Sequence, residues 1–274
     1  MDTKYVFLDV DGTLVNFKAE VPDSAVAAMK KAQANGHKMI LATGRQKSQI
    51  YKFLTDAVAF DGLVASSAAY IELDGKPIFE SRPTKEKLYK LVDFFEEYKI
   101  PYFLQSTQAL YATKECRELI YDHMKARGNS DQLLESVFGN TIITENPREL
   151  DCIEKVAYYQ SPFSLDEVRN ALGDYFYVVS YSLGRSESLY HGEITFDGVN
   201  KAMGVNIFMD KVGAPISNSI AVGDSGNDLD MIKAAGVGVA MGNASEEIKA
   251  AADLVTTHID DDGIYNAFTK LGLI

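Results

Sequence analysis

Short apolar runs and helical patterns alternate along the N-terminal part of the chain. The runs Tyr5–Leu8, Lys38–Ala42 and Gly62–Ala65 predict buried strands, and apolar residues recur at helical spacing in Pro22–Asn35 and Gln46–Thr55. Strands that alternate with helices are typical of βαβ units and of a parallel sheet. The same alternation resumes near residue 194 and continues to the end of the chain.

The stretch between these two parts has a different pattern, in which helices and strands follow one another without the βαβ alternation. Its predicted elements are helices at Lys85–Tyr98, Lys114–Ala126, Asp131–Val137 and Asp166–Leu172, and strands at Tyr102–Ser106, Ala109–Ala112, Val156–Gln160, Tyr175–Tyr181 and Ser188–His191. We therefore predict an α/β protein with a Rossmann-like parallel-sheet core at residues 1–82 and 194–274. An α+β cap domain at residues 83–193 is inserted into it.

Composition narrows the class of protein. Hydrophobic residues make up 46% and charged residues 24% of the 274 residues, as in ordinary globular proteins. The net charge of −12 disfavours binding to nucleic acid or to an anionic membrane. Two cysteines give neither a disulfide framework nor a metal-ligand spacing. Without a signal peptide or an apolar run of the ~20 residues that a membrane helix needs, we expect a cytoplasmic protein.

Polar residues follow several predicted strands, at the sheet edge where ligands bind in open α/β proteins. Carboxylates gathered there would repel one another unless a cation lay among them, and an all-oxygen ligand set favours Mg²⁺. A lysine that opens a helix after the insert would add positive charge for a phosphate. These residues are Asp9, Asp11, Thr43, Gly44, Lys201, Asp224, Asn227 and Asp228.

Each of these motifs also has a simpler interpretation when it is taken alone. Asp9–Thr13 could be an acidic turn, Thr43 a helix cap, and Arg45 a solvated or salt-bridged surface group. Gly223–Asp228 could be a capped helix start, because Asp and Asn favour that position. These interpretations do not explain why all the motifs fall at one edge of one predicted sheet.

The four motifs together resemble the signature motifs of the haloacid dehalogenase superfamily of phosphohydrolases. The matching residues are Asp9–Thr13, Thr43, Lys201 and Gly223–Asp228. Leu41–Arg45 and Val239–Ala244 look like the Cof-type subfamily. In that subfamily a large α+β cap, of type IIB, is inserted between the second and third motifs.

The resemblance implies a Mg²⁺-dependent phosphatase that works through an aspartyl-phosphate. Asp9 is the implied nucleophile, and Asp11 the implied general acid and base. The implied metal ligands are Asp9, the backbone carbonyl of Asp11, Asp224 and Asp228. The implied phosphate-binding groups are Thr43, Gly44, Lys201 and Asn227.

The cap is expected to determine specificity by closing over the leaving group. Arg185 and His191 are polar candidates there, although a solvated loop position is the favoured interpretation of each. In the core, Ser66–Ala69 stands where Cof-type proteins commonly carry Ser-Asn-Gly-Ala, so Ser67 replaces an amide side chain.

The predicted substrate is a small phosphorylated metabolite, with a sugar phosphate as the family-level expectation, and the protein is expected to be a monomer or a weak homo-oligomer. Two alternatives stay open. A phosphomutase would return the phosphoryl group to its substrate. A receiver-like signalling module would accept phosphate on aspartate, but the insert and Asp11 disfavour it.

Overall fold

The computed structural model describes residues 2–126, 128, 130–180 and 190–274. It forms two compact units. The first, called the core unit here, comprises the chain up to Arg45, Ile50–Glu80 and Asn200–Ile274. The second, called the cap, comprises Gln46–Gln49 and Ser81–Val199.

The helices and strands follow in chain order. The strands are β1 (Tyr5–Leu8), β2 (Lys38–Ala42), β3 (Gly62–Ala65), β4 (Tyr70–Leu73), β5 (Lys76–Glu80), β6 (Tyr102–Gln105), β7 (Leu110–Ala112), β8 (Ile142–Ile143), β9 (Lys155–Tyr158), β10 (Phe176–Ser180), β11 (Gly192–Phe196), β12 (Ser219–Gly223), β13 (Val237–Ala240) and β14 (Leu254–Val255). The helices are α1 (Asp23–Ala34), α2 (Lys52–Ala57), α3 (Lys85–Glu97), α4 (Lys114–Ala126), α5 (Asp131–Phe138), α6 (Leu165–Leu172), α7 (Lys201–Val212), α8 (Leu229–Ala234), α9 (Glu246–Ala251) and α10 (Gly263–Lys270).

The sheet of the core unit has the order β14-β13-β12-β1-β2-β3-β4-β5 within the described residues. Its strands from β14 to β3 are parallel, and β4 and β5 add an antiparallel edge. Val6 and Leu8 pack in a cluster with α1 and α10, while the ring of Phe7 lies 5.5 Å from that of Phe208 on α7. Helices cover both faces, which explains why β1 is apolar along its whole length.

The order of the strands places a crevice beside β1. The chain passes from β1 to β2 on one side, and β12 pairs with β1 on the other side. A reversal of strand order of this kind is where open α/β sheets bind ligands, beyond the carboxyl ends of the strands. The residues that follow β1, β2 and β12 therefore meet at one edge.

The cap has its own sheet, with the order β10-β11-β9-β6-β7-β8 among the residues described. One face packs against α3 and α6 through a cluster that includes Leu91 and Leu172. Part of the other face packs against α4 and α5 through Ile120 and Phe138. The α/β fold class predicted from the sequence, a parallel-sheet core with a separate cap sheet, is confirmed. Across the described residues, no helix combines the length and apolar character that a membrane crossing requires.

Three local predictions differ from the structure. The single helix predicted at Gln46–Thr55 is a 3-10 turn at Lys47–Gln49 followed by α2, because Tyr51 is extended and its ring contacts the guanidinium of Arg45. The strand predicted at Ser188–His191 is wrong where it is described, since β11 begins only at Gly192; residues 188–189 lie outside the described part. The whole of β11 pairs with cap strands, so the cap extends to Val199 rather than to residue 193.

Candidate active site

A buried lysine links two carboxylates at the edge of the core sheet. Asp9 follows β1, and Lys201 is the first residue of α7, whose N-terminus is capped by the side chain of Asn200. The Nζ atom of Lys201 lies 2.6 Å from Oδ1 of Asp9 and 2.6 Å from Oδ1 of Asp228. A positive charge at a helix N-terminus opposes the helix dipole. The two carboxylates offset that cost.

The turn after β12 places two further carboxylate oxygens beside this pair. Oδ2 of Asp228 accepts hydrogen bonds from the N–H groups of Asp224 and Ser225, each at 3.0 Å. The hydroxyl of Thr13 donates to Oδ1 of Asp224 at 3.0 Å. Gly223–Asp228 therefore contains a capped turn, as the simpler interpretation of the sequence predicts. The same turn also places the carboxylates of Asp224 and Asp228 in the crevice.

This group of side chains fits a divalent cation. Among the described residues, Asp9, Asp224 and Asp228 each offer a carboxylate oxygen, and these oxygens lie within 4.8 Å of one another. With all groups ionised, the three carboxylates and the ammonium of Lys201 leave a net charge of minus two. An all-oxygen donor set of this charge suits Mg²⁺.

The pKa values report the same excess of negative charge. Burial raises the pKa of Asp9 well above its ordinary value, and the charge of Asp228 adds to that effect while Lys201 opposes it. Burial, together with Asp228, raises the pKa of Asp224 to about 7. Burial acts to lower the pKa of Lys201, but the carboxylates of Asp228 and Asp9 outweigh it and the pKa is raised. Lys201 is thus charged. A further positive charge nearby, such as a bound cation, would lower the raised pKa of Asp224 and favour its ionised form.

Asp11 points to a different partner. Arg45 donates to both of its carboxylate oxygens, from Nε at 2.6 Å and from Nη2 at 2.8 Å. The guanidinium stacks on the ring of Tyr51, with Cζ 4.1 Å from the ring centroid. Accordingly the carboxylate of Asp11 is not part of the group formed by Asp9, Asp224 and Asp228 within the described structure. The resemblance implied only the backbone carbonyl of Asp11 as a metal ligand, and that expectation stays a prediction.

The ends of β2 and β3 form the other side of the crevice. Thr43 is buried; its hydroxyl accepts from the N–H of Arg45 at 3.1 Å, and its carbonyl accepts from the N–H of Ser67 at 3.1 Å. Gly44 lies half-buried between Thr43 and Arg45. Ser66, Ser67 and Ala68 all have positive φ, with angles of 52°, 56° and 79°. This strained loop holds the ends of the two strands together.

The remaining candidates are placed as follows. Oδ1 of Asn227 accepts from the hydroxyl of Ser225 at 2.8 Å, in the same turn as Asp224. In the cap, Nδ1 of His191 accepts from the N–H of Gln160 at 2.9 Å. Arg185 lies outside the described residues.

Sequence reasoning missed three contributions to the site. Thr13 was part of a motif, but its bond to Asp224 was not foreseen. Arg45 was interpreted as a solvated or salt-bridged group; the salt bridge is present, but its partner, the carboxylate of Asp11, was not foreseen. Asn243 donates to the carbonyl of Gly12 at 2.8 Å and accepts from the N–H of Ile259 at 3.0 Å. The only signal for Asn243 was its place in the string Val239–Ala244.

A buried, charged group of this kind, at the switch point of a Rossmann-like sheet, belongs to the class of hydrolases that act on phosphoric monoesters. The chain is a member of the haloacid dehalogenase-like hydrolase family, whose model matches residues 6–268. The resemblance found in the motifs is therefore confirmed.

Similar proteins support the class over the full length of the chain. The chain is 26% identical over 283 residues to phosphatase YwpJ of Bacillus subtilis (strain 168), covering 98% of this chain and 99% of the relative. It is 26% identical over 270 residues to pyridoxal phosphate phosphatase YbhA of Escherichia coli (strain K12), covering 96% and 97%. The sugar phosphatase BT4131, of subclass IIB, shares the fold with a TM-score of 0.79 and 26% identity, over 99% of this chain and all of the other.

Proposed function

We propose that the protein hydrolyses phosphate monoesters of small metabolites, with sugar phosphates as the preferred class, and that it does so with Mg²⁺ through an aspartyl-phosphate. The observation that carries the proposal is the buried group in which Lys201 links Asp9 to Asp228, with Asp224 beside them. The sugar phosphatase among the structural neighbours supports the substrate class.

The carboxylates of Asp9, Asp224 and Asp228, with the backbone carbonyl of Asp11, would hold Mg²⁺. Bound there, the ion supplies positive charge that offsets the phosphoryl oxygens. The protein contributes a fixed set of oxygens, and the negative charge of its carboxylates exceeds the positive charge of Lys201. Asp228 already accepts from two N–H groups and from Lys201, so it mainly fixes the position of the other ligands.

Asp9 is the proposed nucleophile. A carboxylate oxygen of Asp9 attacks phosphorus, and the bond between phosphorus and the ester oxygen breaks as the new bond forms. Water then attacks the aspartyl-phosphate, releases inorganic phosphate and restores the carboxylate. Lys201 stays charged throughout and stabilises the negative charge that develops on the phosphoryl oxygens.

Asp11 is the proposed general acid and base. It donates a proton to the leaving ester oxygen, and in the second step it takes one from the attacking water. The two hydrogen bonds from Arg45 fix the orientation of the Asp11 carboxyl group. We assign the remaining phosphoryl contacts to the hydroxyl of Thr43, the backbone N–H groups near Gly44, Lys201 and Asn227.

The proposal is tested by measuring phosphate release from para-nitrophenyl phosphate and from a panel of phosphorylated metabolites, with Mg²⁺ and with a chelator. We expect metal-dependent release that falls at least about a thousandfold in Asp9→Asn, because the nucleophile is lost. Asp74→Asn is the matched control, since Asp74 is exposed in the turn between β4 and β5 and its positive φ suits asparagine.

Two outcomes would contradict the proposal. Release that survives in both Asp9→Asn and Asp11→Asn would remove these residues from the chemistry. Transfer of phosphate within the substrate, without free phosphate, would instead identify a phosphomutase. A cytoplasmic location and a monomeric or weakly associating chain without nucleic-acid partners stay predictions, because they rest on composition.

A further inference from the structure

The carboxyl group of Asp11 contacts the side chain of Tyr51 as well as that of Arg45. The hydroxyl of Tyr51 donates to Oδ1 of Asp11 at 3.4 Å and accepts from Nη2 of Arg45 at 2.5 Å. The guanidinium of Arg45 also stacks on the Tyr51 ring. All three residues belong to the core unit, and together they are called the Asp11 clamp here.

The ring of Tyr51 explains how Arg45 is kept in place. The side chain of Asp11 is 41% exposed and that of Arg45 only 12%. An ion pair with an exposed carboxylate is ordinarily weak, because water competes for the charges and a long side chain has to be ordered. Stacking on an aromatic face is a favourable contact for a guanidinium. The ring therefore holds Arg45 where its two donors reach both oxygens of Asp11.

Tyr51 is itself held by its surroundings. Its ring stacks on that of Phe53, with centroids 4.9 Å apart and planes inclined by 24°. The Tyr51 side chain also packs against the apolar cluster beside the core sheet. Its backbone is extended just before α2 begins. The clamp thus has a fixed base in the core unit.

The hydroxyl of Tyr51 has a property that the guanidinium lacks. A general acid and base carries a proton in one step and lacks it in the next. A guanidinium can only donate hydrogen bonds, so it suits the ionised form of Asp11, whereas a phenolic hydroxyl can donate and accept. Of the two partners in the clamp, only Tyr51 can stay hydrogen-bonded to Asp11 in both forms.

We propose that Tyr51 is a positioning residue for proton transfer by Asp11. Its ring keeps Arg45 on the carboxyl group, and its hydroxyl bonds that group in both protonation states. The inference rests on the proposed function in one respect, namely the assignment of Asp11 as general acid and base. It adds that Tyr51 acts on the step in which the leaving ester oxygen takes up a proton.

The test compares kcat/KM for two aryl esters of similar size, phenyl phosphate and para-nitrophenyl phosphate. This ratio of constants covers the steps up to the aspartyl-phosphate, in which the ester bond breaks. The nitro group stabilises the departing phenolate, so para-nitrophenyl phosphate needs little help from an acid. Phenolate is more basic and depends on protonation. A misplaced general acid therefore lowers the value for phenyl phosphate selectively.

Two variants separate the hydroxyl from the ring. In Tyr51→Phe we expect kcat/KM for phenyl phosphate to fall about fivefold to tenfold, the effect of one lost hydrogen bond. In Tyr51→Leu, which also removes the stacking contact, it should fall about a hundredfold. In Tyr51→Phe the value for para-nitrophenyl phosphate should stay within about twofold. Because Tyr51→Phe keeps the ring and its packing, it also guards against loss of folding.

Tyr265→Phe is the matched control. Tyr265 has the same kind of contact with a cation, since Nζ of Lys31 lies 3.4 Å from its hydroxyl and 5.3 Å from its ring centroid. This contact joins α10 to α1 in the same unit and includes none of the clamp residues. Both kcat/KM values should be unchanged.

Asp11→Asn separates this inference from the proposed function. If Asp11→Asn keeps the wild-type ratio of the two kcat/KM values, Asp11 is not the general acid, and the proposed assignment fails together with the inference. If Asp11→Asn lowers the value for phenyl phosphate selectively, but both Tyr51 variants keep the wild-type ratio, the inference alone is overturned. An equal fall for both esters in Tyr51→Phe would overturn it too, since a merely structural role lowers both alike.

Discussion

The two units of the molecule each bury a lysine, and the surroundings of these lysines differ. Lys201 in the core unit contacts two carboxylates at 2.6 Å, with Asp224 as a third nearby. Lys155 in the cap pairs with the carboxylate of Glu193, whose second oxygen has no partner among the described residues. The core therefore has surplus negative charge, and the cap has surplus hydrogen-bond acceptors.

This difference bears on where a cation can bind. A surplus of carboxylates recruits a cation, and cation and lysine together offset the charge of a phosphoryl group, which every substrate shares. Lys155 and Glu193 carry opposite charges, and this pair gives no comparable group of carboxylates among the described residues. We therefore expect Mg²⁺ to bind in the core unit.

The largest expected effect comes from removing each lysine in turn. Lys201→Met leaves two buried carboxylates without a counter-charge and should lower the free energy of unfolding by about 5 kcal/mol in the presence of a chelator. Lys155→Met removes the counter-charge of the buried Glu193 and should lower the free energy of unfolding by about 3 kcal/mol. Urea denaturation with and without Mg²⁺ measures both.

Added Mg²⁺ should distinguish the two lysine variants by how much stability each one regains. We expect Mg²⁺ to restore part of the stability of Lys201→Met, because the ion can replace the missing positive charge, and to leave the loss in Lys155→Met unchanged. Equal recovery in the two variants would show that the metal does not bind at the core carboxylates.

A smaller effect is expected from adding a methyl group at one glycine in each unit. Gly12 has a φ of +89°, and a Cβ there would lie 2.2 Å from Oδ2 of Asp224. Gly192 begins β11, and a Cβ there would lie 2.5 Å from the hydroxyl of Tyr158. Both substitutions to Ala should cost about 1–3 kcal/mol of stability, through strain and overpacking.

Only one of the two glycine variants should alter metal dependence. Gly12→Ala moves the carboxylate of Asp224, so the Mg²⁺ concentration for half-maximal hydrolysis of para-nitrophenyl phosphate should rise about tenfold, as expected when a metal ligand is displaced. Gly192→Ala should leave that concentration unchanged. A shift of the same size in Gly192→Ala would mean that the metal dependence does not report on the core unit alone.

The sequence was informative about the two units to different degrees, and the reason is physical. The core site is built from residues that follow β1, β2 and β12, so short motifs such as Asp9–Thr13 are visible as polar strings after apolar runs. In the cap, Lys155 on β9 pairs with Glu193 on β11, and a single Lys or Glu in a strand gives no signal of such a pair. Strand pairing alone brings them together.

Side-chain partners were likewise beyond the sequence, even in the core. The position of Arg45 after β2 was clear, but its bidentate contact with Asp11 depends on the extended backbone of Tyr51, which interrupts a predicted helix. The helical spacing in Gln46–Thr55 reflects only where apolar residues recur. It gives no information about the stacking of Arg45 on Tyr51. The fold class followed from periodicity because burial enforces it, whereas the orientation of a charged side chain follows from its neighbours in space.

The smallest expected effect, taken per unit of pH, is a pH dependence of Mg²⁺ affinity that arises in the core unit. The pKa of Asp224 is raised in the folded protein from 3.8 to about 7, so the folded state keeps a proton that the unfolded chain loses. The resulting stabilisation is complete below pH 3.8 and is lost as the pH rises to about 7.

Mg²⁺ requires the ionised carboxylate, so its affinity should fall about tenfold for each unit of pH below about 7. Magnesium titrations followed by thermal unfolding measure this slope, and Asp224→Asn should flatten it. A magnesium affinity that is constant from about pH 7 to about pH 5.5 would mean that Asp224 does not bind the ion, and the core would then lack the surplus charge that distinguishes it from the cap.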